Sequence, residues 1–142
     1  MGYKHYWGVK NPTKWSEIWP QLISDANLII ETLKDRAPLM DEKDNYHLPT
    51  IERGIHINGK DALEDFVLEE HEGQGFDFCK TARKEYDVMV ATILIRAKML
   101  AGDAFSFSSD GCWDEYEWKD ALGVYLGLWP NENLSMKEIM EA

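Results

Sequence analysis

The fold is decided by residues 76–111, which read FDFCKTARKEYDVMVATILIRAKMLAGDAFSFSSDG. Phe76 to Cys79 is a short aromatic segment typical of a strand, and Ala104 to Ser108 alternates phenylalanine with serine, which indicates another strand. Between them, Lys84 to Ala101 is predicted to be a helix, and its apolar residues on nearly every side are typical of a buried one. A strand, a helix and a strand joined by short connections alternate in direction, so the two strands run the same way. We therefore expect both strands to end at the same edge of a sheet.

The residues before this stretch predict further strands and one long helix. Tyr3 to Val9 is aromatic-rich and indicates a first strand. A helix is expected to begin at Lys14, because apolar residues then recur at three- and four-residue spacing, and Pro20 is expected to kink it. Ile51 to Asn58 alternates in the manner of a strand, and Phe66 to Leu68 is expected to return beside it after a tight turn.

These elements indicate a single α+β domain spanning residues 1–142. After the quoted stretch, Asp114 and Glu117 predict the capping box of a third helix, and residues 131–142 form an acidic C-terminal tail with the pattern of one short helix. The predicted order is therefore β-α-β-β-β-α-β-α. One open, mainly antiparallel sheet with helices packed on one face satisfies this order, as in split β-α-β folds.

The composition excludes several classes of function. The 142 residues carry 15 Lys and Arg against 26 Asp and Glu, which gives a formal net charge of −11. Phosphate contacts need a positive surface, so direct nucleic-acid binding is disfavoured, and so is docking on an anionic membrane. Cys79 and Cys112 are too few for a disulfide framework and, with no signal-peptide pattern, are expected to be thiols in a cytoplasm.

A basic cluster at the start of the predicted buried helix is the first candidate binding element. Lys80, Arg83 and Lys84 oppose the helix dipole there, which is an unfavourable place for cations. With the hydroxyl of Thr81 and the free N–H groups of a helix start, they favour a phosphate or carboxylate ligand. The alternative is that these cations pair with acidic residues at the same edge, namely Asp110, Asp114 and Glu115.

The second candidate element is the segment Ser108-Ser109-Asp110-Gly111, which follows the neighbouring strand. Small hydroxyls and a glycine let the backbone approach a ligand closely, and Asp110 is suited to accept from a ribose hydroxyl or to orient Lys80. Tyr86 and Trp113 are the candidates for stacking on a planar ligand. The alternative is a plain turn followed by a helix cap, where serine, aspartate and glycine are the usual residues.

No catalytic set, metal ion or cofactor is predicted. Neither Ser108 nor Ser109 lies in a G-x-S-x-G elbow, and Cys79 has no histidine near it in the sequence. The acidic residues after position 110 match no calcium loop, and Glu69 to Glu72 lacks the spacing of a zinc-binding HExxH motif. The sequence therefore favours a protein that is not an enzyme, and leaves an enzyme as the third alternative.

Two segments carry a resemblance to a known family. FCKTARKEYD at residues 78–87 and SSDG at 108–111 resemble a family of small uncharacterised proteins from bacteria and their phages. The opening aromatic strand and the tryptophan-bearing first helix are similar too, so the resemblance covers most of the chain. It departs at Glu85, where relatives tend to have proline. The resemblance implies one intact domain in the cytoplasm of a bacterial host cell.

Two functions remain open at this stage. The first is a non-enzymatic small-ligand-binding protein that takes an anionic, nucleotide-type ligand between Lys80–Lys84 and Ser108–Gly111. In a phage or bacterial defence setting, such a protein is suited to sequester a signalling nucleotide. The second is an acidic interaction module or inhibitor, whose third helix and tail imitate the charge of nucleic acid and occupy a basic cleft on a host enzyme.

The charge leads to a first testable expectation, that the protein does not bind duplex DNA at physiological salt. With a net charge of −11 and no basic stripe, its surface repels the phosphate backbone. A gel shift with micromolar protein measures this, and a salt-sensitive retarded band would contradict it.

Overall fold

The computed structural model describes residues 3–37, 47–57, 65–71, 76–81, 86–112 and 115–141. It confirms the α+β class. The strands are β1 (Lys4–Val9), β2 (His47–Thr50), β3 (Gly54–Ile57), β4 (Phe66–Leu68), β5 (Phe76–Lys80) and β6 (Phe105–Ser109). The helices are α1 (Pro12–Leu33), α2 (Asp87–Ala101), α3 (Tyr116–Leu128) and α4 (Met136–Glu141).

Strand β1 is the centre of the first sheet, whose order is β5-β1-β6. It pairs antiparallel with both neighbours, so that His5 lies opposite Cys79 on one side and opposite Ser109 on the other. Two strands antiparallel to the same strand are parallel to each other. The carboxyl ends of β5 and β6 therefore lie at the same edge, as the sequence predicted.

The other three strands form a second antiparallel sheet, in the order β2-β3-β4, rather than joining the first. The isoleucine-rich run from Ile51 divides between a turn and a strand, because the chain reverses at residues 51–53 before β3 begins. Gly54 has a φ of 79°, and a Cβ added there would lie 2.7 Å from the Leu68 carbonyl oxygen. Because glycine has no Cβ, β4 can lie this close to the first residue of β3. The turn expected after Ile57 lies outside the described residues.

Aromatic contacts join the two sheets to the helices. The Trp15 ring of α1 stacks on Phe105 of β6 at 5.0 Å, and Phe107 stacks on Trp118 of α3 at 5.4 Å. Trp7 of β1 meets Phe66 of β4 edge to face at 5.0 Å, which ties the second sheet to the first. All these contacts lie on the inner face of the first sheet. Helices α1 and α3 thus pack on this inner face, whereas the opposite face carries the exposed residues Phe78 and Ser108 and is the more open one among the described residues.

Helix α1 is continuous from Pro12 to Leu33, although Pro20 was expected to kink it. Pro20 lies on the exposed side of the helix, where water can satisfy the carbonyl that its missing N–H leaves unpaired. The Asn11 side chain caps the helix by accepting from the Lys14 backbone N–H at 3.1 Å, and Pro12 takes the first helical position.

Helix α2 forms the centre of the core, packed between α1 and α3. It is buried along its first eleven residues, as its sequence predicted. Helix α3 begins at Tyr116, and Glu115 is its N-cap residue. The cap expected at Asp114 lies outside the described residues. Among the described residues, no helix is long and apolar enough to cross a membrane.

A polar cluster centred on Arg96 connects the helices through this core. Its guanidinium donates to Asp25 of α1 at 2.7 Å and to the Tyr125 hydroxyl of α3 at 2.9 Å. The same hydroxyl donates to Glu132 at 2.9 Å, and the Trp129 ring covers the guanidinium at 4.2 Å. Burial raises the pKa of the Tyr125 phenol to about 12, so it remains a neutral bridge.

Leu94→Ala is expected to lower the free energy of unfolding by about 2–5 kcal/mol, because the side chain is fully buried in α2 and its loss leaves a cavity. Urea denaturation measures this. The matched control is Leu48→Ala, whose side chain is 59% exposed and whose loss should change stability by about 0.5 kcal/mol or less. A loss below about 1 kcal/mol for Leu94→Ala would show that α2 does not form the core.

Candidate functional site

The candidate site lies at the edge where β5 and β6 end on either side of the start of β1. Lys4 lies opposite Lys80, and its carbonyl accepts from the Asp110 backbone N–H at 2.9 Å. The Thr81 backbone N–H donates to the Tyr3 carbonyl at 3.1 Å. Both sequence-predicted segments therefore come together here, held by the backbone of the first strand.

Strand alternation divides these residues between two faces of the sheet. Successive side chains along a strand point to opposite sides, so residues paired across strands share a side. The inner set, on the face covered by helices, is His5, Cys79 and Ser109. The outer set, on the open face, is Lys4, Tyr6, Phe78, Lys80 and Ser108, with Asp110 beyond the end of β6. The sequence-based hypothesis placed residues of both sets in one pocket, and the structure separates them.

On the outer face, an aromatic pair is flanked by cations. Phe78 is 47% exposed, and its ring centroid lies 6.4 Å from that of Tyr6. The Lys4 ammonium lies 5.0 Å from the Phe78 centroid, within the range of a cation–π contact. Lys80 follows beside Lys4 on the neighbouring strand. The two rings are inclined to each other by 43°, so this arrangement offers an aromatic surface next to two positive charges.

Asp110 is held at the border of the outer face by two donors. Its carboxylate accepts from the Tyr6 hydroxyl at 3.0 Å and from the Lys4 backbone N–H at 3.1 Å. Desolvation, the hydrogen bond to Asp110 and the charge of that carboxylate all raise the pKa of the Tyr6 phenol. Tyr6 therefore remains neutral and keeps its ring fixed beside Phe78.

On the inner face, four polar side chains form a continuous hydrogen-bonded chain. Ser109 Oγ lies 2.9 Å from His5 Nδ1, and His5 Nε2 lies 2.6 Å from Asp87 Oδ1. Thr81 donates its hydroxyl to the same Asp87 oxygen at 2.6 Å. The Gly111 backbone N–H donates to Ser109 Oγ at 3.1 Å. We call Ser109, His5, Asp87 and Thr81 the inner chain.

The bonding of the inner chain suits one tautomer of His5. Asp87 is the first residue of α2, where the helix dipole favours a negative charge, and it accepts the hydroxyl hydrogen of Thr81. In the tautomer that carries the proton on Nε2, His5 donates to this carboxylate, and Nδ1 accepts from the Ser109 hydroxyl.

Packing holds the His5 ring in this orientation. His5 is fully buried, with the Tyr3 and Trp118 rings each edge to face at 5.1 Å. Ser109 is half-buried at the end of β6, whereas Asp87 is 4% exposed and Thr81 is fully buried. The inner chain thus runs from the core to a partly accessible hydroxyl.

The other sequence-predicted site residues have varied positions. Tyr86 is only 1% exposed and donates its hydroxyl to the Lys80 carbonyl at 3.4 Å, so its ring packs in the core instead of stacking on a ligand. Thr81 is likewise directed at Asp87 and not at the surface. The expectation of ligand contacts by these two side chains is corrected on that ground. Arg83, Lys84 and Trp113 lie outside the described residues.

The sequence interpretation missed His5 and Asp87, although each carries a signal. Along Tyr3, His5, Trp7 and Val9, every second residue is buried, so His5 is a polar residue within the apolar register of a strand. Asp87 directly precedes the buried helix sequence. Neither signal names the partner, because His5 and Asp87 are 82 positions apart.

A separate cleft lies beside the second sheet. It has a volume of about 370 Å³ and is lined by the turn at 51–53, Gly54 and residues 69–71. Its lining includes Arg53, His71 and three glutamates. Within the described ranges, no group of three or more His, Cys, Asp or Glu side chains is placed to hold a metal ion.

No family model, curated protein or solved structure matches the chain. The resemblance of residues 78–87 and 108–111 to small bacterial and phage proteins stays a prediction. Function therefore has to be argued from the geometry of the two faces.

Thr81→Val is expected to lower the free energy of unfolding by about 1.5–3 kcal/mol, because it removes a hydrogen bond to a buried charged group without changing volume. The matched control is Thr92→Val. This residue is also fully buried, but its hydroxyl donates to the neutral Val88 carbonyl at 2.7 Å. The control should lose about 0.5–1.5 kcal/mol. Equal losses in urea denaturation would show that Asp87 does not depend on Thr81.

Proposed function

We propose that the protein binds an anionic, nucleotide-type small molecule on the outer face of the first sheet. The observation that carries this proposal is the half-exposed Phe78 ring beside Tyr6, with Lys4 and Lys80 at its border. A planar base is suited to the aromatic pair, and a phosphate to the lysines. Binding in this way requires no reaction.

The exposure of Phe78 supports a ligand because it is unusual within this chain. Phe66 and Phe105 are fully buried and Phe107 is 5% exposed, whereas Phe78 is 47% exposed. Stacking on an aromatic side chain stabilises a bound base by about 1–3 kcal/mol. The adjacent Tyr6 ring, fixed by Asp110, widens the surface available for a base.

The positions of the lysines support an anion. Lys4 and Lys80 are directly opposite each other in an antiparallel pair, where like charges destabilise a sheet. A phosphate placed here would contact both ammonium groups. Arg83 and Lys84, which lie outside the described residues, follow closely in the sequence. They occur in a chain whose net charge is −11, so the positive region is local.

Hydroxyl and carboxylate groups at the same border suit a ribose. Ser108 is exposed and lies opposite Tyr6 in the pairing of β1 with β6. Asp110 presents a carboxylate whose position two donors already fix. A ribose hydroxyl can donate to this carboxylate and accept from Ser108. Ser108 and Asp110 thus keep, in this proposal, the role that the sequence suggested.

The alternative function, an acidic module that occupies a host protein's basic cleft, has less support. Several acidic side chains of its proposed surface already have partners within the chain. Asp120 pairs with Arg36, Glu132 accepts from Tyr125 and Arg96, and Glu115 accepts from the Cys112 backbone N–H. Carboxylates held in this way are less available to a partner protein, so the ligand-binding function is preferred.

Thermal shift against a panel of nucleoside mono-, di- and triphosphates and cyclic dinucleotides tests the proposal. A probe at a hundred times its Kd is expected to stabilise the protein by about 2.7 kcal/mol. Phe78→Ala and Lys4→Ala are each expected to weaken its binding about 10- to 100-fold in calorimetry, since each removes about 1–3 kcal/mol of contact.

The matched control is Tyr116→Ala, which removes a 73% exposed aromatic side chain on α3, the helix that packs on the inner face of the first sheet. It should bind the probe as the unmodified protein does. The proposal fails if none of the nucleotides shifts the melting temperature, or if Phe78→Ala and Tyr116→Ala bind equally well.

A further inference from the structure

We propose that Ser109 is a nucleophile activated by His5, and that it hydrolyses carboxylic esters with a small acyl group. This activity goes beyond ligand binding and uses different residues. The outer face carries the proposed nucleotide site, whereas the inner chain ends at the edge of the sheet. Neither proposal depends on the other.

The distances within the inner chain are those of a nucleophile and its base. The Ser109 hydroxyl and His5 Nδ1 are 2.9 Å apart, within the range for direct proton transfer. The base is in turn oriented by Asp87 at 2.6 Å. A serine hydroxyl is a weak nucleophile unless such a base takes its proton, and a third group usually fixes the base.

The surroundings of His5 favour its action as a base. The Asp87 carboxylate fixes the tautomer that leaves Nδ1 free to accept a proton, and it stabilises the imidazolium that then forms. Thr81 and the start of α2 hold that carboxylate in place. Because Tyr3 and Trp118 cover the ring, water does not compete with Ser109 for the imidazole.

Stability alone is a poor explanation for the inner chain. Replacing a buried ionic pair by apolar side chains of similar volume is often neutral or stabilising, so a His–Asp pair under a sheet is not needed to hold the fold together. The chain also ends at Ser109, a half-buried residue at the last position of β6. A purely structural network has no reason to extend to this edge of the sheet.

The shape beside Ser109 limits the substrate. The Gly111 backbone N–H donates to Ser109 Oγ, and a Cβ on Gly111 would lie 2.7 Å from the Tyr3 ring. The backbone and the Tyr3 ring thus form a close wall next to the nucleophile. A small acyl group such as acetyl fits against this wall better than a long chain.

The reaction proceeds in two balanced steps. Ser109 Oγ bonds to the ester carbonyl carbon while its proton passes to His5 Nδ1, and the bond to the leaving alcohol breaks as that alcohol takes the proton from His5. A water molecule then attacks the acyl-Ser109 carbonyl, giving one proton to His5, and Ser109 recovers its proton as the acid leaves. The sum is one ester and one water converted to one carboxylic acid and one alcohol.

Labelling with a fluorophosphonate probe and hydrolysis of p-nitrophenyl acetate test the proposal on the full chain. One adduct by intact mass, located at Ser109 by peptide mapping, is expected. Ser109→Ala should abolish both labelling and the catalysed hydrolysis. The matched control is Ser106→Ala, which removes a half-buried hydroxyl on the same strand and should leave both rates unchanged. Cys112→Ala removes an exposed thiol that reacts with activated esters, and it should also keep the adduct.

Asp87→Asn tests the positioning role of the carboxylate. It is expected to slow labelling by about 10²- to 10⁴-fold at neutral pH and to shift the pH profile of the rate, which a merely structural role would not do. Near-ultraviolet circular dichroism checks that this variant is folded. Binding of a nucleotide probe to Ser109→Ala should be unchanged, so failure of one proposal is distinguishable from failure of the other.

An unlabelled wild-type protein would overturn the proposal. So would an adduct at Ser108, or wild-type hydrolysis by Ser109→Ala. In any of these cases the inner chain is a structural hydrogen-bond network.

Discussion

The pairing of β1 on both of its sides is the constraint on which the rest of the structure depends. Because β5 and β6 each run antiparallel to this one strand, they run parallel to each other and end at the same edge. The alternation along β1 then decides which side chains reach the helices and which reach the open face. A one-residue change of register would exchange the two faces, placing His5 in solvent and Tyr6 in the core.

The two faces satisfy opposite physical requirements. On the inner face, every polar group of the inner chain has a partner, as groups removed from water must have. Trp118 covers His5 although its own indole N–H has no hydrogen-bond partner among the described residues. Such an N–H costs about 1–3 kcal/mol, so the packing of this ring has to outweigh that loss. Side chains on the outer face do not need such hydrogen-bond partners, because they are less buried. Aromatic and charged side chains lie side by side there.

The fold could be predicted where it depends on local sequence pattern. The prediction failed where the fold depends on residues that are distant in the sequence. That β5 and β6 end at the same edge follows from counting the reversals of chain direction, so the sequence was sufficient to predict it. The division into two sheets was not predictable in this way, because it depends on which of the distant strands pair with one another. The candidate site shows the same limit. Ser109 was identified from its own turn, but its partner His5 lies 104 positions away and no spacing rule connects them.

The central position of the first strand also affects how the chain folds during synthesis. Strand β1 leaves the ribosome before either of its partners, and its pairing with β6 joins residues 104 positions apart. At about 5–20 residues per second, the edge that pairs with β6 therefore waits about 5–20 s for its partner. An unpaired strand edge is a template for aggregation during that interval. The net charge of −11 keeps nascent chains apart, so the acidity of the chain protects the step on which the fold depends.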